Sequence, residues 1–348
     1  MPDFNAIGFV YVANSGSQNI GVFDLDAAGR MRTRENVEIQ PPVSTGRSIV
    51  LALSPNSAIL YAGYVTSEAQ AAVATLSIDA TSGALLLLAS TPLADSVAYL
   101  ATDRSGQFLF GASYAGSKVM VCAIAPNGIV GETRQVVTTE SKAHCILPDA
   151  LNRHVLHTSL GGDLIYQQAF DVTTGLLSPA DPPTIAVRAG AGPRFMCFSL
   201  DAKFLYVINE LDGSIDRFPY DAERGRLGAA MRAGSALPRE FTGKPWAADI
   251  HLTPDGKFLC VSERTSSTLT MFRVDPVSGA LNFLCCYPTV KQPRAFRIDP
   301  SGRFLICCGQ LSNSLIVYSI DRLGGVLKPL GELPVGVNPT WVEVVLCR

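Results

Sequence analysis

The chain repeats itself about seven times, and a period of this length leaves few folds open. One motif is a polar turn followed by Phe or Leu and an apolar run. It occurs as Asn56-Ser57-Ala58-Ile59-Leu60-Tyr61, Gly106-Gln107-Phe108-Leu109-Phe110, Asp201-Ala202-Lys203-Phe204-Leu205-Tyr206, Asp255-Gly256-Lys257-Phe258-Leu259-Cys260 and Ser301-Gly302-Arg303-Phe304-Leu305-Ile306, with weaker copies at Val10-Tyr11-Val12 and His154-Val155-Leu156. The anchors Val10, Leu60, Leu109, Leu156, Leu205, Leu259 and Leu305 stand roughly 46 to 54 residues apart. A second motif runs in phase: Asp, a short turn ending in Gly, then an apolar residue. It is clearest from Asp79 to Leu85, Asp171 to Leu176, Asp221 to Leu227 and Asp275 to Leu281, and looser copies end in Gly29, Gly128 and Gly325. Hairpin loops of this kind need a residue that tolerates positive φ.

Between the two markers lie short alternating segments rich in Val, Ile, Phe, Tyr and Leu, such as Phe195–Leu200, Leu205–Asn209, Ser214–Tyr220 and Leu269–Val274. They read as strands. Four strands per period is the pattern of a β-propeller blade, so the chain is predicted to be all-β: one seven-bladed propeller domain over residues 1–348, with four antiparallel strands per blade. The first Phe-Leu-type segment, Val10-Tyr11-Val12, has no preceding inner strand. The chain ends in Asn338-Pro339-Thr340-Trp341-Val342-Glu343-Val344-Val345, which is predicted to supply that strand and close the first blade, covering an otherwise open edge.

Composition removes several function classes. Of the 348 residues, 47% are hydrophobic and 17% charged, and the mean hydropathy is +0.24. The longest apolar runs, Ser48–Leu53 and Ala84–Ala89, are far shorter than the roughly 18–20 residues that cross a bilayer. Met1-Pro2-Asp3-Phe4-Asn5 has no basic start or long apolar stretch, so no signal peptide is expected and the cytoplasm is the predicted compartment. The net charge of −2 gives no basic stripe for nucleic acid. Nine cysteines include the neighbours Cys285-Cys286 and Cys307-Cys308, which point to opposite faces of a strand and can neither chelate a metal nor bridge usefully. Buried thiols in a reducing compartment are the better reading. His154 and His157, three apart in a strand, also face opposite sides. Nucleic-acid and membrane partners are therefore not expected, a monomer or small homo-oligomer is, and the predicted partner, a small anionic molecule, rests instead on the arginines Arg194 and Arg294.

Let each blade run from strand A, innermost, to D, outermost. Starts of A and ends of B then converge on one mouth of the ring. The A starts are Ile49, Ala98, His144, Arg194, Ala248, Arg294 and Thr340, and the B ends are Asn14, Ser113, Ser159, Glu210, Glu263 and Gln310. His144, Glu210, Arg194 and Arg294 are the expected catalytic set, and Arg194, Arg294, Glu263, Gln310, Asn14 and Ser113 the expected substrate-binding set. The same residues also have purely structural readings. Arg194 or Arg294 can tie blades through carbonyls, Glu210 can pair with Arg194, and His144 can be a hydrogen-bonded core histidine. Glu263-Arg264 reads as a blade-to-blade salt bridge, Trp246 and Asp249 as packing residues of an inner strand, and His251 as facing the blade interior or ring wall.

Gly192-Pro193-Arg194, Asn209-Glu210-Leu211, Trp246-Ala247-Ala248-Asp249-Ile250-His251, Thr253-Pro254-Asp255-Gly256 and Gln292-Pro293-Arg294 resemble the bacterial β-propeller 6-phosphogluconolactonases, a family that includes the fungal 3-carboxy-cis,cis-muconate lactonizing enzymes. The resemblance covers essentially the whole chain and is densest from Gly190 to Trp341. It implies an active-site set of His, Arg, Glu and Arg, which falls on His144, Arg194, Glu210 and Arg294. It also marks departures: Phe195 stands where relatives commonly carry His, Cys145 where they often have Ser, and Tyr99 where bacterial relatives can have His. These bear on the phosphate of the substrate more than on the lactone chemistry.

The activity so implied is hydrolysis of a sugar-acid lactone, 6-phosphogluconolactone to 6-phosphogluconate, with His144 moving the proton, Glu210 orienting it or sharing the base role, and the arginines holding anionic groups. Competing expectations are a non-phosphorylated galactaro- or glucaro-lactone, a carboxymuconate cycloisomerase acting through the same four residues, and a non-catalytic propeller that binds a protein partner. No cofactor motif is present, neither G-x-x-x-x-G-K-[ST] nor a strand–GxGxxG–helix unit. Glu210 and Glu263 are a thin set for a metal, so cofactor- and metal-independent action is expected.

Overall fold

A computed structural model describes residues 5–39, 42, 44 and 47–347. The N-terminal reading on Met1–Phe4 lies outside the described residues. The described chain forms seven antiparallel sheets. Blade 1 is made of Pro339–Leu346 as strand A, then Ala6–Asn14, Asn19–Asp26 and Met31–Glu38. Strand Ala6–Asn14 pairs on one side with Asn19–Asp26 and on the other with the C-terminal strand, Val10 opposite Val344. The predicted closure is therefore present. The inner strands of blades 2 to 7 are Val50–Leu53, Tyr99–Thr102, Ala143–Pro148, Pro193–Phe198, Ala247–Leu252 and Pro293–Ile298. Each packs against the inner strand of the next blade, and the last packs against Pro339–Leu346, which in turn meets Val50–Leu53. The outermost strand of blade 5 is broken in two, Arg226–Leu227 and Met231–Ser235, both paired with Ser214–Asp221.

The two sequence motifs meet between blades. Gly279, in the C–D turn of blade 6, has φ +66°, and a Cβ there would lie 2.5 Å from the ring of Phe204, the first residue of strand B in blade 5. The carbonyl of the same glycine accepts a hydrogen bond from Tyr206 Oη at 2.8 Å. A left-handed turn and a missing side chain are both required at that position. The contact recurs around the ring, with Gly83 against Phe9, Gly128 against Ile59, Gly175 against Phe108, Gly225 against His154, Gly325 against Phe258 and Gly29 against Phe304. A large residue in the first half of strand B, aromatic in all blades but the second, thus forms a knob under the next blade's turn, and the period of the sequence is the period of this interlock.

Candidate active site

Three of the four expected catalytic residues stand where strand A begins, and each begins with a break in register. The A–B ladder slips between Ala143 and Ile146, between Pro193 and Phe195, and between Pro293 and Ala295. The residues passed over include His144, Arg194 and Arg294. A bulge turns a side chain out of the alternation of the strand, and here all three turn toward one mouth of the ring. They line a cavity of about 320 Å³ together with Glu210, Arg264, Trp246, Tyr114, Arg47 and Ser48.

Glu210 sits between two arginines. Its Oε2 accepts from Arg194 Nε at 2.9 Å and from Arg264 Nη2 at 2.7 Å. Arg194, fully buried, also donates to the Ala248 carbonyl of the neighbouring blade, and its guanidinium lies 4.1 Å from the Phe195 ring centre. Arg264 donates to the carbonyls of Trp246 and Ala247 and stacks 3.9 Å from the Trp246 ring. The structural readings of Arg194 and Glu210 are therefore realised as contacts, and the carboxylate they fix still faces the cavity. No hydrogen bond joins Glu210 to His144 among the described residues.

His144 is 5% exposed, edge-on to Phe195 and Tyr114, with a buried Nδ1 that has no partner among the described residues. Burial first, and then the positive charge of Arg194, hold its pKa well below the ordinary histidine value. It is a neutral imidazole at neutral pH. Arg294 reaches across blade 1 to donate from Nη2 to Ser48 Oγ at 2.8 Å. Enclosure by the cavity walls, and then Arg194, lower its pKa to about 10, so it remains a cation.

The other expected binding residues are placed elsewhere. Ser113 Oγ accepts from Gly116 N at 2.9 Å, Asn14 Nδ2 donates to Asn19 Oδ1 at 3.0 Å, and Glu263 accepts from Ser266 N and Trp246 N. None of these three lines the cavity, and neither does Gln310, whose Oε1 is buried without a partner among the described residues. For Asn14, Ser113 and Glu263 the reason is register. Asn14, Ser113 and Glu263 are the last residues of their B strands and turn inward to hold the B–C hairpin, whereas Glu210 is one residue beyond Asn209, where its strand ends. Adjacent positions face opposite ways. In blades 3 and 6 that one-residue offset selects Tyr114 and Arg264, two cavity residues absent from the expected set, whereas Gln310, at the same offset beyond Gly309 in blade 7, does not line the cavity. Glu263-Arg264 is divided accordingly: Arg264 makes the blade-to-blade ion pair, and its acid is Glu210.

A second cavity, of about 550 Å³, opens on the opposite mouth and contains Tyr99, Phe195, Asp249, His251, Arg297 and Trp341. Tyr99, Phe195 and Trp341 pack edge-to-face, with centroids 5.0 to 5.7 Å apart, on the axis of the ring. His251 faces this ring wall, its Nε2 3.1 Å from Asp249. Two of the three departures from the resembled family, Tyr99 and Phe195, belong to this side; the third, Cys145, is buried and lines neither cavity. Among the described residues no cluster of His, Cys, Asp or Glu has metal-holding geometry, and no helix is long and apolar enough to cross a membrane.

Comparison with known proteins agrees with this architecture. The family profile described as "Lactonase, 7-bladed beta-propeller" matches residues 39–344. A protein of Pectobacterium carotovorum named 6-phosphogluconolactonase is 39% identical over 337 residues, 97% of this chain and 98% of its own length. One of Serratia proteamaculans with the same name is 36% identical over 97% of this chain and 98% of its own. Among solved structures, the periplasmic gluconolactonase of Pseudomonas aeruginosa superposes with a TM-score of 0.89 at 26% identity, covering 98% of this chain and 99% of that one.

Proposed function

The chain belongs to the family of seven-bladed β-propeller lactonases, and from that premise we propose that it hydrolyses 6-phosphogluconolactone to 6-phosphogluconate. The observation that carries this reading is the convergence of His144, Arg194, Glu210 and Arg294, joined by Arg264, in one cavity. Opening a lactone requires an activated water, stabilisation of the oxyanion, and a proton for the departing ring oxygen. His144, neutral and facing the cavity, takes the proton from water and returns it to the alkoxide. Glu210 has one oxygen held by two guanidinium groups and the other without a hydrogen-bond partner among the described residues, so its free oxygen orients the water or shares the base role. Arg194 and Arg264 are fixed by that same carboxylate and by carbonyls, which aims their remaining N–H groups without reorganisation at the developing negative charge. The ring over residues 1–348 acts as one unit, without cofactor or metal. Nine unbridged cysteines suit the reducing cytoplasm, where we place the enzyme.

The test is turnover by the purified protein on 6-phosphogluconolactone, galactaro- and glucaro-lactone, and carboxymuconate. Preference for the first, with His144→Ala slowing it about a hundredfold or more, is the expected result. A preference for an aldaric lactone moves the reading to a diacid substrate, carboxymuconate turnover moves it to cycloisomerisation, and near-normal activity of His144→Ala removes the scheme.

A further inference from the structure

The charges around the active-site cavity are unevenly paired. Four guanidinium groups, those of Arg47, Arg194, Arg264 and Arg294, line it against the single carboxylate of Glu210. Glu210 is taken by Arg194 and Arg264, on the side of blades 5 and 6. Across the cavity, where blades 7 and 2 flank the inner strand of blade 1, Arg294 has one polar partner among the described residues, the neutral hydroxyl of Ser48. Arg47, the residue before Ser48, forms no ion pair among the described residues and stands exposed at the rim. A cation held inside a cavity without an acid is costly unless something supplies the charge, and here Glu210 acts on Arg294 only at a distance while paired directly with Arg194 and Arg264.

We propose that Arg294, Ser48 and Arg47 form an anion subsite that takes the phosphate monoester arm of the substrate, opposite the His144–Glu210 end. The proposal rests on the lactonase reading for the molecule that carries the phosphate. Three donors converge there. The guanidinium of Arg294 keeps N–H groups beyond the one given to Ser48, the Ser48 hydroxyl accepts from Arg294 and so has its own hydrogen free to donate, and Arg47 brings a second fork. Three donors around a dianion suit the three terminal oxygens of a phosphate monoester, whereas a planar carboxylate uses one fork. Thr340 Oγ1 at the start of the closing strand donates to the Ile49 carbonyl at 2.8 Å, which holds the backbone next to Ser48. Tyr99, Cys145 and Phe195, the positions that depart from the resembled family, line no part of this cavity. They therefore do not oppose a phosphate at this end.

The measurement is discrimination, the ratio of kcat/KM on the 6-phosphorylated lactone to that on gluconolactone, in the full-length protein and in Arg294→Gln, Arg294→Lys, Ser48→Ala and Arg47→Gln. Folding of each is checked by circular dichroism and melting. The ratio is expected to fall tenfold or more in Arg294→Gln and several-fold in Ser48→Ala and Arg47→Gln, through KM on the phosphorylated substrate, with Arg294→Lys intermediate. Equal losses on both lactones, or wild-type preference for an aldaric lactone, overturn the proposal. If wild type opens neither lactone, the lactonase reading fails separately. The subsite is then judged by stabilisation of the protein against heat by glycerol 3-phosphate: a rise in Tm that Arg294→Gln loses supports it, and no rise in wild type overturns it.

Discussion

His144 is the residue through which pH should act. Its pKa in the free protein is depressed by burial and then by the charge of Arg194, with Arg294 adding to the effect. The base form is therefore retained as pH falls below the ordinary histidine value, and kcat/KM, which reports the free enzyme, is expected to lose activity only at more acid pH. An anionic substrate placed between Arg194 and Arg294 cancels part of their field and raises the pKa of His144. The acid limb of kcat, which reports the bound complex, is then expected at higher pH than that of kcat/KM. Full pH profiles of both parameters test this, and coincident limbs would count against His144 as the group that titrates. At this scale much of the site was legible in the sequence: His144, Arg194 and Arg294 stand out as polar residues at the start of inner strands. Arg264 was not. Beside Glu263 it reads as half of a local pair, and only the one-residue offset between Asn209 and Glu210 shows that Arg264, not Glu263, faces the cavity.

At the scale of the element, the B strand and the C–D turn are one device seen twice. The motif Phe204-Leu205-Tyr206 offers a ring and a hydroxyl to the turn around Gly279, and both are used. Gly279→Ala places a methyl group 2.5 Å from Phe204 at a φ of +66°, and a cost of about 1–3 kcal/mol is expected from strain of that kind. Tyr206→Phe removes only the hydrogen bond and should cost about 1 kcal/mol. Urea unfolding midpoints at constant m-value would measure both, and a Gly279→Ala protein as stable as wild type would show that the turn yields. The two motifs were legible because every blade repeats them. The bulges at His144, Arg194 and Arg294 were not, since one extra residue in a ladder leaves no mark on composition or alternation. Convergence at one mouth could be reasoned from strand direction, but the turn of each side chain away from the strand could not.

The whole molecule depends on a closure that joins its last strand to its first, and polar groups secure that joint from inside. Glu343 on the closing strand of blade 1 accepts from Arg297 of blade 7 and from Trp341 Nε1 at 3.0 Å. Arg297 Nη1 lies 3.4 Å from His251 Nδ1 in blade 6, and Asp249 in turn accepts from Phe296 N of blade 7 at 3.0 Å. Three consecutive blades are thus tied at the axis. Burial alone would raise the Asp249 carboxyl, but His251 and the other partners bring it below the usual carboxylate range. Its contribution is present at neutral pH and is lost as pH falls through that lowered value. The Arg297–Glu343 pair, buried at Glu343 and half-buried at Arg297, is costly to break from one side and less so to replace as a unit. Glu343→Ala is therefore expected to destabilise the ring, by less than the about 3–5 kcal/mol of a fully buried pair because Arg297 keeps some access to solvent, with loss first of the Ala6–Asn14 to Pro339–Leu346 pairing in hydrogen exchange. The double replacement Arg297→Met with Glu343→Leu should recover most of that loss. If instead the double variant is as unstable as the sum of its parts, the two side chains do not couple, and each secures the joint through its other contacts, Arg297 beside His251 and Glu343 with Trp341.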